Sequence, residues 1–397
     1  MDSTTRRALN DPDIIADAHR GGGFALARRG ELLVGRNAPK SLTDRLRKSA
    51  TLAELTGGGD QLWLLGEGRC PFALSKELQR TTKEPTHVGP NHVFFGCPPF
   101  HGCPATPPDV TSSVITLPDL AECPIDVAVL DSGSIAHATL APRVTAVQGT
   151  WFNSATGRVE VVPDDAVDRD GDGLLDMMAG HGNFVSGVIA ERAAAARITS
   201  FGHRSHHATY TEWELANTLR MEGAKFGVIN LAIAGMTYRN RPPAILGNAI
   251  SALPAETVLV ASAGNMGSTV PHWPGAFRRV ICVGAVDDTK RRVKPSRASF
   301  SNFGAWVDCC CGGVDVLGAS VWWKGGVEDE PNGTYEFNGF AKWSGTSFSA
   351  PKVAAAIVQI ASDRAMAPRL AAAHLLAGSG GVATRWRPDM GVELDLR

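Results

Sequence analysis

Five short apolar runs set the pattern of this chain, at residues 125–130, 198–202, 226–233, 257–262 and 280–286. Each is too short for a helix, and its hydrophobicity is continuous rather than alternating, which predicts strands covered on both faces. Helical segments at 184–195, 212–222 and 243–251 lie between them. Strand and helix in alternation predict an α/β fold with a mostly parallel sheet, where catalytic groups stand at the carboxyl ends of strands. Of the 397 residues, 44% are hydrophobic and 20% charged, enough to fill a sizeable core and far from the balance of disordered chains.

The same counts exclude whole classes of function. Lys and Arg total 39 against 40 Asp and Glu, a formal net charge of −1, so no strong field exists to hold a nucleic acid. No apolar run approaches the roughly 20 residues of a membrane span. The opening MDSTTRRALNDPDIIADAHR is charged throughout and has no apolar centre, so no secretory signal is read and a cytoplasmic location is expected. In a reducing compartment the eight cysteines are expected as thiols. Cys309, Cys310 and Cys311 are consecutive, cannot easily converge on one tetrahedral ion, and are read as small buried hydrophobes.

Residues 97–108, CPPFHGCPATPP, hold five prolines in twelve residues and can form neither a helix nor a central strand. They mark a linker, placed at 97–115, between an N-terminal domain at 1–96 and a larger domain at 116–397. The first domain reads as a small α+β unit: strand 23–35, helix 41–55 opened by Ser41 and Asp44, strand 61–65, helix 71–80 and strand 87–95.

Three segments of the larger domain place a reactive residue at a junction. In VAVLDSGS, Asp131 ends an apolar strand before a tight exit. In GHGNFVSGVIA, His181 precedes a helix rich in small residues. In WSGTSFSAPKVAAAIV, Ser347 opens an apolar helix, whose N-terminal end carries partial positive charge. A serine is a weak nucleophile without a base, and the base needs a partner that fixes its tautomer. Asp131, His181 and Ser347 supply these three roles.

These motifs resemble the subtilisin-like serine proteases, or subtilases, from about residue 125 to 396. DSG at Asp131, HGNFVSG at His181 and GTSFSAP at 345–351 look like the Asp, His and Ser motifs, in the family's chain order. VINLAIAG at 228–235 resembles the substrate-binding strand, and VASAGNMG at 260–267 the oxyanion-hole segment. The resemblance implies a three-layer α/β/α fold and serine endopeptidase activity through an acyl-enzyme. It also implies that Asn265 and the Ser347 N–H stabilise the oxyanion, and that substrate lies along Asn230, Ala232, Ile233, Ala234 and Gly235. Subtilases commonly carry an N-terminal propeptide that occupies the cleft. Here the weakly matching 1–96 domain is read either as such a domain or as a permanent accessory one.

Several positions depart from the family pattern. Asn183 stands where Thr is usual and Lys352 where His is common. Ala234 stands where many members have Gly, which narrows the first specificity pocket and implies a preference for small side chains. DRDGDGLLD places Asp168, Asp170, Asp172 and Asp176 at positions 1, 3, 5 and 9 of a calcium loop, with Gly173 at 6. Position 12 is Ala179 rather than Glu, and two readings stand: a structural Ca2+ site and a hydrated acidic turn. No cofactor is required for the chemistry. The expected partner is a peptide or protein substrate, with no nucleic acid or membrane. The alternative function is a catalytically degenerate subtilase that binds peptides.

Overall fold

The computed structural model describes residues 13–18, 24–81, 88–95, 108–147, 150–153, 158–161, 167–168, 171–176, 178–202, 209–289, 294–328 and 330–396. In chain order the N-terminal part forms β1 (Ile14–Ala18), β2 (Phe24–Val34), α1 (Lys40–Leu46), β3 (Ala50–Leu55), β4 (Gln61–Leu65), α2 (Pro71–Thr81) and β5 (Val88–Phe95). Helix and strand divide the segment expected as one helix over 41–55. Leu42 and Leu46 enter a core beneath the sheet, but Leu55 is 61% exposed and belongs to β3, which pairs antiparallel with β4. Sheet pairing overrides the leucine spacing here and adds a strand. Most of the linker, residues 97–107, lies outside the described residues, and β6 (Asp109–Val110) follows.

The larger part begins with β7 (Ile125–Leu130), β8 (Val144–Val147), β9 (Thr150–Asn153) and β10 (Arg158–Val161). It continues through α3 (His181–Arg192), β11 (Ala196–Phe201), β12 (Thr209–Thr211), α4 (Glu212–Glu222), β13 (Val228–Leu231), α5 (Ala244–Ala252), β14 (Val258–Ser262), β15 (Val280–Asp287), β16 (Ser296–Arg297) and β17 (Cys309–Gly312). A long hairpin, β18 (Val316–Val327) and β19 (Glu330–Trp343), precedes α6 (Thr346–Asp363), α7 (Pro368–Leu376), β20 (Thr384–Arg387) and β21 (Gly391–Leu394).

The main sheet has the order β20-β21-β17-β15-β14-β13-β7-β11-β8, with β16 on β15. Its strands run parallel from β21 to β8, and only β20 and β16 are antiparallel. Alternate residues of each central strand enter different cores. Val127, Val129, Val228 and Val260 face α3 and α6, while Ala128, Leu130, Ile229 and Leu259 face α4 and α5. Burial on both faces explains the continuous hydrophobicity of these runs and yields three layers, α/β/α.

A second sheet crosses the boundary expected between domains. Its order is β12-β5-β2-β4-β3, with β1 on β2, so β12 of the larger part pairs antiparallel with β5. Leu33, Leu62 and Phe94 of this sheet join the core made with α4 and α5. A third sheet, β18-β19-β6, packs on α3.

Candidate active site

The exit of β7 and the start of α3 interlock. Asp131 Oδ1 accepts hydrogen bonds from Ser132 N–H and from His181 Nδ1, each at 2.6 Å. Ser132 Oγ in turn accepts from Gly182 N–H at 2.8 Å. Any Cβ at position 182 would stand 1.8 Å from the Gly133 carbonyl oxygen, so the two loops approach this closely only because residue 182 is glycine. His181 and Asp131 are both fully buried. Donation from Nδ1 leaves Nε2 as the acceptor, which is the tautomer a general base requires.

The imidazole is walled by aromatic rings, Trp343 edge-on at 5.4 Å and Phe348 at 5.3 Å. Nε2 is buried and makes no hydrogen bond among the described residues. The Ser347–His181 bond of a reacting triad is therefore not formed in this state, and such bonds commonly tighten only with substrate present. Ser347 itself is 1% exposed and is the second residue of α6. Backbone N–H groups of this first turn point out of the helix end, toward any developing negative charge.

Asn265 lies beyond β14 and is fully buried. Its Oδ1 accepts from Thr346 N–H at 2.9 Å and Thr346 Oγ1 at 2.8 Å. Those bonds fix the amide rotamer, so the NH2 group points away from Thr346. The loop is pinned by Asn302, whose Oδ1 accepts from Met266 N–H and Ser268 N–H and whose Nδ2 donates to the Ala263 carbonyl. Sequence reasoning gave no role to Thr346, although it stands inside the GTSFSAP motif, or to Asn302, which nothing in the local pattern marks.

Asn183, which stands where Thr is usual in the family, bridges three segments. Its Oδ1 accepts from Ser134 Oγ at 2.6 Å and from Ile135 N–H at 3.1 Å, and Nδ2 donates to the Ser320 carbonyl at 3.4 Å. It ties the first turn of α3 to the loop after Asp131 and to β18.

The expected substrate segment divides. Asn230 lies inside β13, paired with Val129 on one side and Val260 on the other, so no added strand reaches its backbone. Its side chain is buried and makes no hydrogen bond among the described residues. Ala232, Ile233, Ala234 and Gly235 continue past the strand end, with Gly235 bridged antiparallel to Trp273. Ala234 Cβ lies 3.4 Å from where a Cβ at Gly264 would stand.

Strand β5 lies against the end of this segment, at Gly235. A Cβ at Gly235 would meet Phe94 Cδ1 at 2.9 Å and the Val93 carbonyl oxygen at 3.2 Å. Alongside, β5 pairs Phe94 with Tyr210 and Val93 with Thr211. Polar contacts hold the surrounding surface: Arg220 with Asp60, Trp213 Nε1 with Glu54 at 2.5 Å, and His92 Nδ1 with Glu212 at 2.7 Å.

The acidic loop turns inward. Asp168 Oδ1 accepts from Gly171 and Asp172 N–H, Asp168 Oδ2 from Gly173 N–H, and Asp172 Oδ1 from Leu174 N–H. Asp176 is 8% exposed, and Asp170 lies outside the described residues. No group of three or more His, Cys, Asp or Glu converges as a metal site among the described residues. Cys309, Cys310 and Cys311 form β17 in the sheet and are fully buried. Burial pushes the Cys311 thiol up to about 11 and that of Cys310 to about 12, which removes the thiolate needed for reactivity.

The family model described as the subtilase family matches residues 124–378, more than half of the chain. The chain belongs to the subtilase family. Its relatives include the thermophilic serine proteinase of Bacillus sp. (strain AK1), 32% identical over 212 residues, which are 50% of this subtilase and 46% of that protein. Subtilisin BL of Lederbergia lenta is 28% identical over 250 residues, 58% of this chain and 74% of that one. The match thus spans about half the length of the Bacillus relative. Among solved structures, fervidolysin from Fervidobacterium pennivorans has a TM-score of 0.63 at 18% identity, covering 96% of this subtilase and 61% of that chain. The epidermin leader peptide processing serine protease of Staphylococcus aureus has a TM-score of 0.60 at 16% identity, covering 93% and 97%. The likeness of fold therefore extends over the N-terminal part of this subtilase, beyond the residues that the family model matches. Among the described residues no helix is long and apolar enough to cross a membrane.

Proposed function

We propose that this subtilase is a serine endopeptidase held in check by its own N-terminal domain. Ser347 attacks the scissile carbonyl, His181 accepts its proton at Nε2 and returns it to the leaving amine, and Asp131 holds the imidazole and stabilises its cationic form. The Asn265 amide and the Ser347 N–H stabilise the oxyanion, fixed donors that need not reorganise as charge develops. The observation that carries the reading is the buried 2.6 Å Asp131–His181 hydrogen bond, with Phe348, the residue after Ser347, packed on the same imidazole. A fluorophosphonate probe tests it. Labelling of the parent that disappears in Ser347→Ala identifies an activated serine, and an unlabelled parent freed of its N-terminal domain would leave the peptide-binding alternative.

The restraint is supported by β5. Its pairing with β12 and its contact at Gly235 support the reading that it occupies the edge where an extended peptide would add a strand. Substrate and β5 therefore compete for one surface. Intact-mass spectrometry of the parent beside Ser347→Ala separates the two fates of the domain. A parent fragment starting near residue 100, with the mutant full length, indicates a removable propeptide, and two intact chains indicate a permanent one. A reducing, cytoplasmic setting belongs to the same proposal, since Cys70, Cys123, Cys282, Cys309, Cys310 and Cys311 are all free thiols.

A further inference from the structure

An open cavity of about 470 Å3 lies between α6, the end of α3 and the C-terminal segment. Lys352, which departs from the family's common His, lines it together with Arg192. Lys352 follows Ser347 by five residues, which sets it about 140° around α6 and about 7.5 Å along it, on a different flank from the nucleophile. It is 6% exposed and makes no hydrogen bond or ion pair among the described residues. Arg192 donates from Nη1 to the Leu396 carbonyl at 2.9 Å, while its Nε is buried and makes no hydrogen bond among the described residues.

The two cations are close enough for Arg192 to disfavour the charged form of Lys352, adding to the larger effect of burial. The other groups around Lys352 are Glu191 of α3, Asp288 after β15 and the Cys311 thiol of β17. Burial raises the Glu191 carboxyl, and the Asp288 carboxylate is packed against Gly312. Neither lies within ion-pair distance of Lys352. Lys352, without a partner among the described residues, and Arg192 beside it both line one open cavity and favour an anion there, because a buried cation without a partner is costly. Asp363, three turns along α6 and accepting from Gln359, lines the far end at about 16 Å, and Asp395 lines the C-terminal side. Those carboxylates reject an extended polyanion.

We propose that this cavity binds a small oxyanion, a carboxylate or a phosphate, at Lys352 Nζ, with the Arg192 guanidinium adding positive charge beside it. Both groups suit charge-assisted bonds to such oxygens. Calorimetric titration of the full chain carrying Ser347→Ala, with inorganic phosphate and separately with acetate, tests this and tells the two sources apart. Saturable one-to-one binding is expected for at least one anion. Lys352→Met and Arg192→Gln should each weaken it tenfold or more, while thermal unfolding shows both variants folded. Lys352→Met should unfold at no lower a temperature in the absence of anion, since a buried charge without an ion-pair partner among the described residues has been removed. Absence of saturable binding in the parent, or equal binding in the folded variants, overturns the assignment.

Discussion

Replacing Phe94 by Ala tests whether β5 holds the cleft shut. The ring is fully buried and lies against Gly235 in a core shared with Tyr210, Trp213 and Leu231. Truncating a buried Phe to Ala costs about 3–5 kcal/mol. The ring also touches its own domain through the cluster containing Leu33 and Leu62. Assigning about half the loss to docking leaves about 2 kcal/mol, roughly a 30-fold shift toward the open form. Arg220–Asp60, Trp213–Glu54 and His92–Glu212 remain in the variant, so release is partial. The assay is the rate of fluorophosphonate labelling of Ser347 in the unprocessed chain, with intact mass confirming its length. If labelling reports the open fraction, Phe94→Ala should label roughly 30-fold faster, and Phe94→Leu should fall between it and the parent. An unchanged rate in a folded Phe94→Ala chain would refute the idea that this contact closes the site.

Four further outcomes are expected. Asn183→Ala strips the acceptor from Ser134 Oγ and Ile135 N–H; urea unfolding in a Ser347→Ala background should show a loss of about 2–4 kcal/mol, and kcat in the otherwise intact chain should fall. The folded-state thiols of Cys310 and Cys311, raised to about 12 and about 11, favour the protonated form. Their stabilising contribution is thus full below the unfolded thiol value of about 8.5 and is lost as pH rises toward 11–12. Denaturation midpoints measured from pH 8 upward should decline, and Cys310→Ala with Cys311→Ala should flatten the decline. For the loop holding Asp168 and Asp172, whose carboxylates already bond their own N–H groups, calcium and EGTA should leave Tm unchanged; a rise with calcium that Asp168→Asn abolishes would establish a calcium site. Ala234→Gly should broaden cleavage of a peptide library toward larger side chains before the cut, and an identical profile would remove Ala234 from specificity.

The main sheet was legible because its strands are buried on both faces, and that condition writes itself into sequence as unbroken apolar runs such as 257–262. The three junctions that hold the candidate triad stand out as well, since a chain needs special local chemistry to turn at Asp131, at His181 and ahead of Ser347. Gly182 shows the reason: its neighbour across the loop is so near that any side chain would collide. The supporting contacts were hidden. Thr346 and Asn302 act through hydrogen bonds to Asn265 and to the 263–268 loop, and a single polar residue carries no mark of its eventual partner.

What the sequence determined alone is thus the α/β architecture, the family and the three junctions where chemistry can stand. Tertiary structure decided the remainder. It divided the expected 41–55 helix into α1 and β3 by offering β4 as a partner, it carried the six-stranded sheet across the supposed domain boundary through β12, and it removed Asn230 from the substrate edge by pairing it on both sides. Each of these depends on hydrogen bonds between segments distant in the chain. Periodicity and turn chemistry report on near neighbours, so pairings of this kind are settled only when the whole chain has packed.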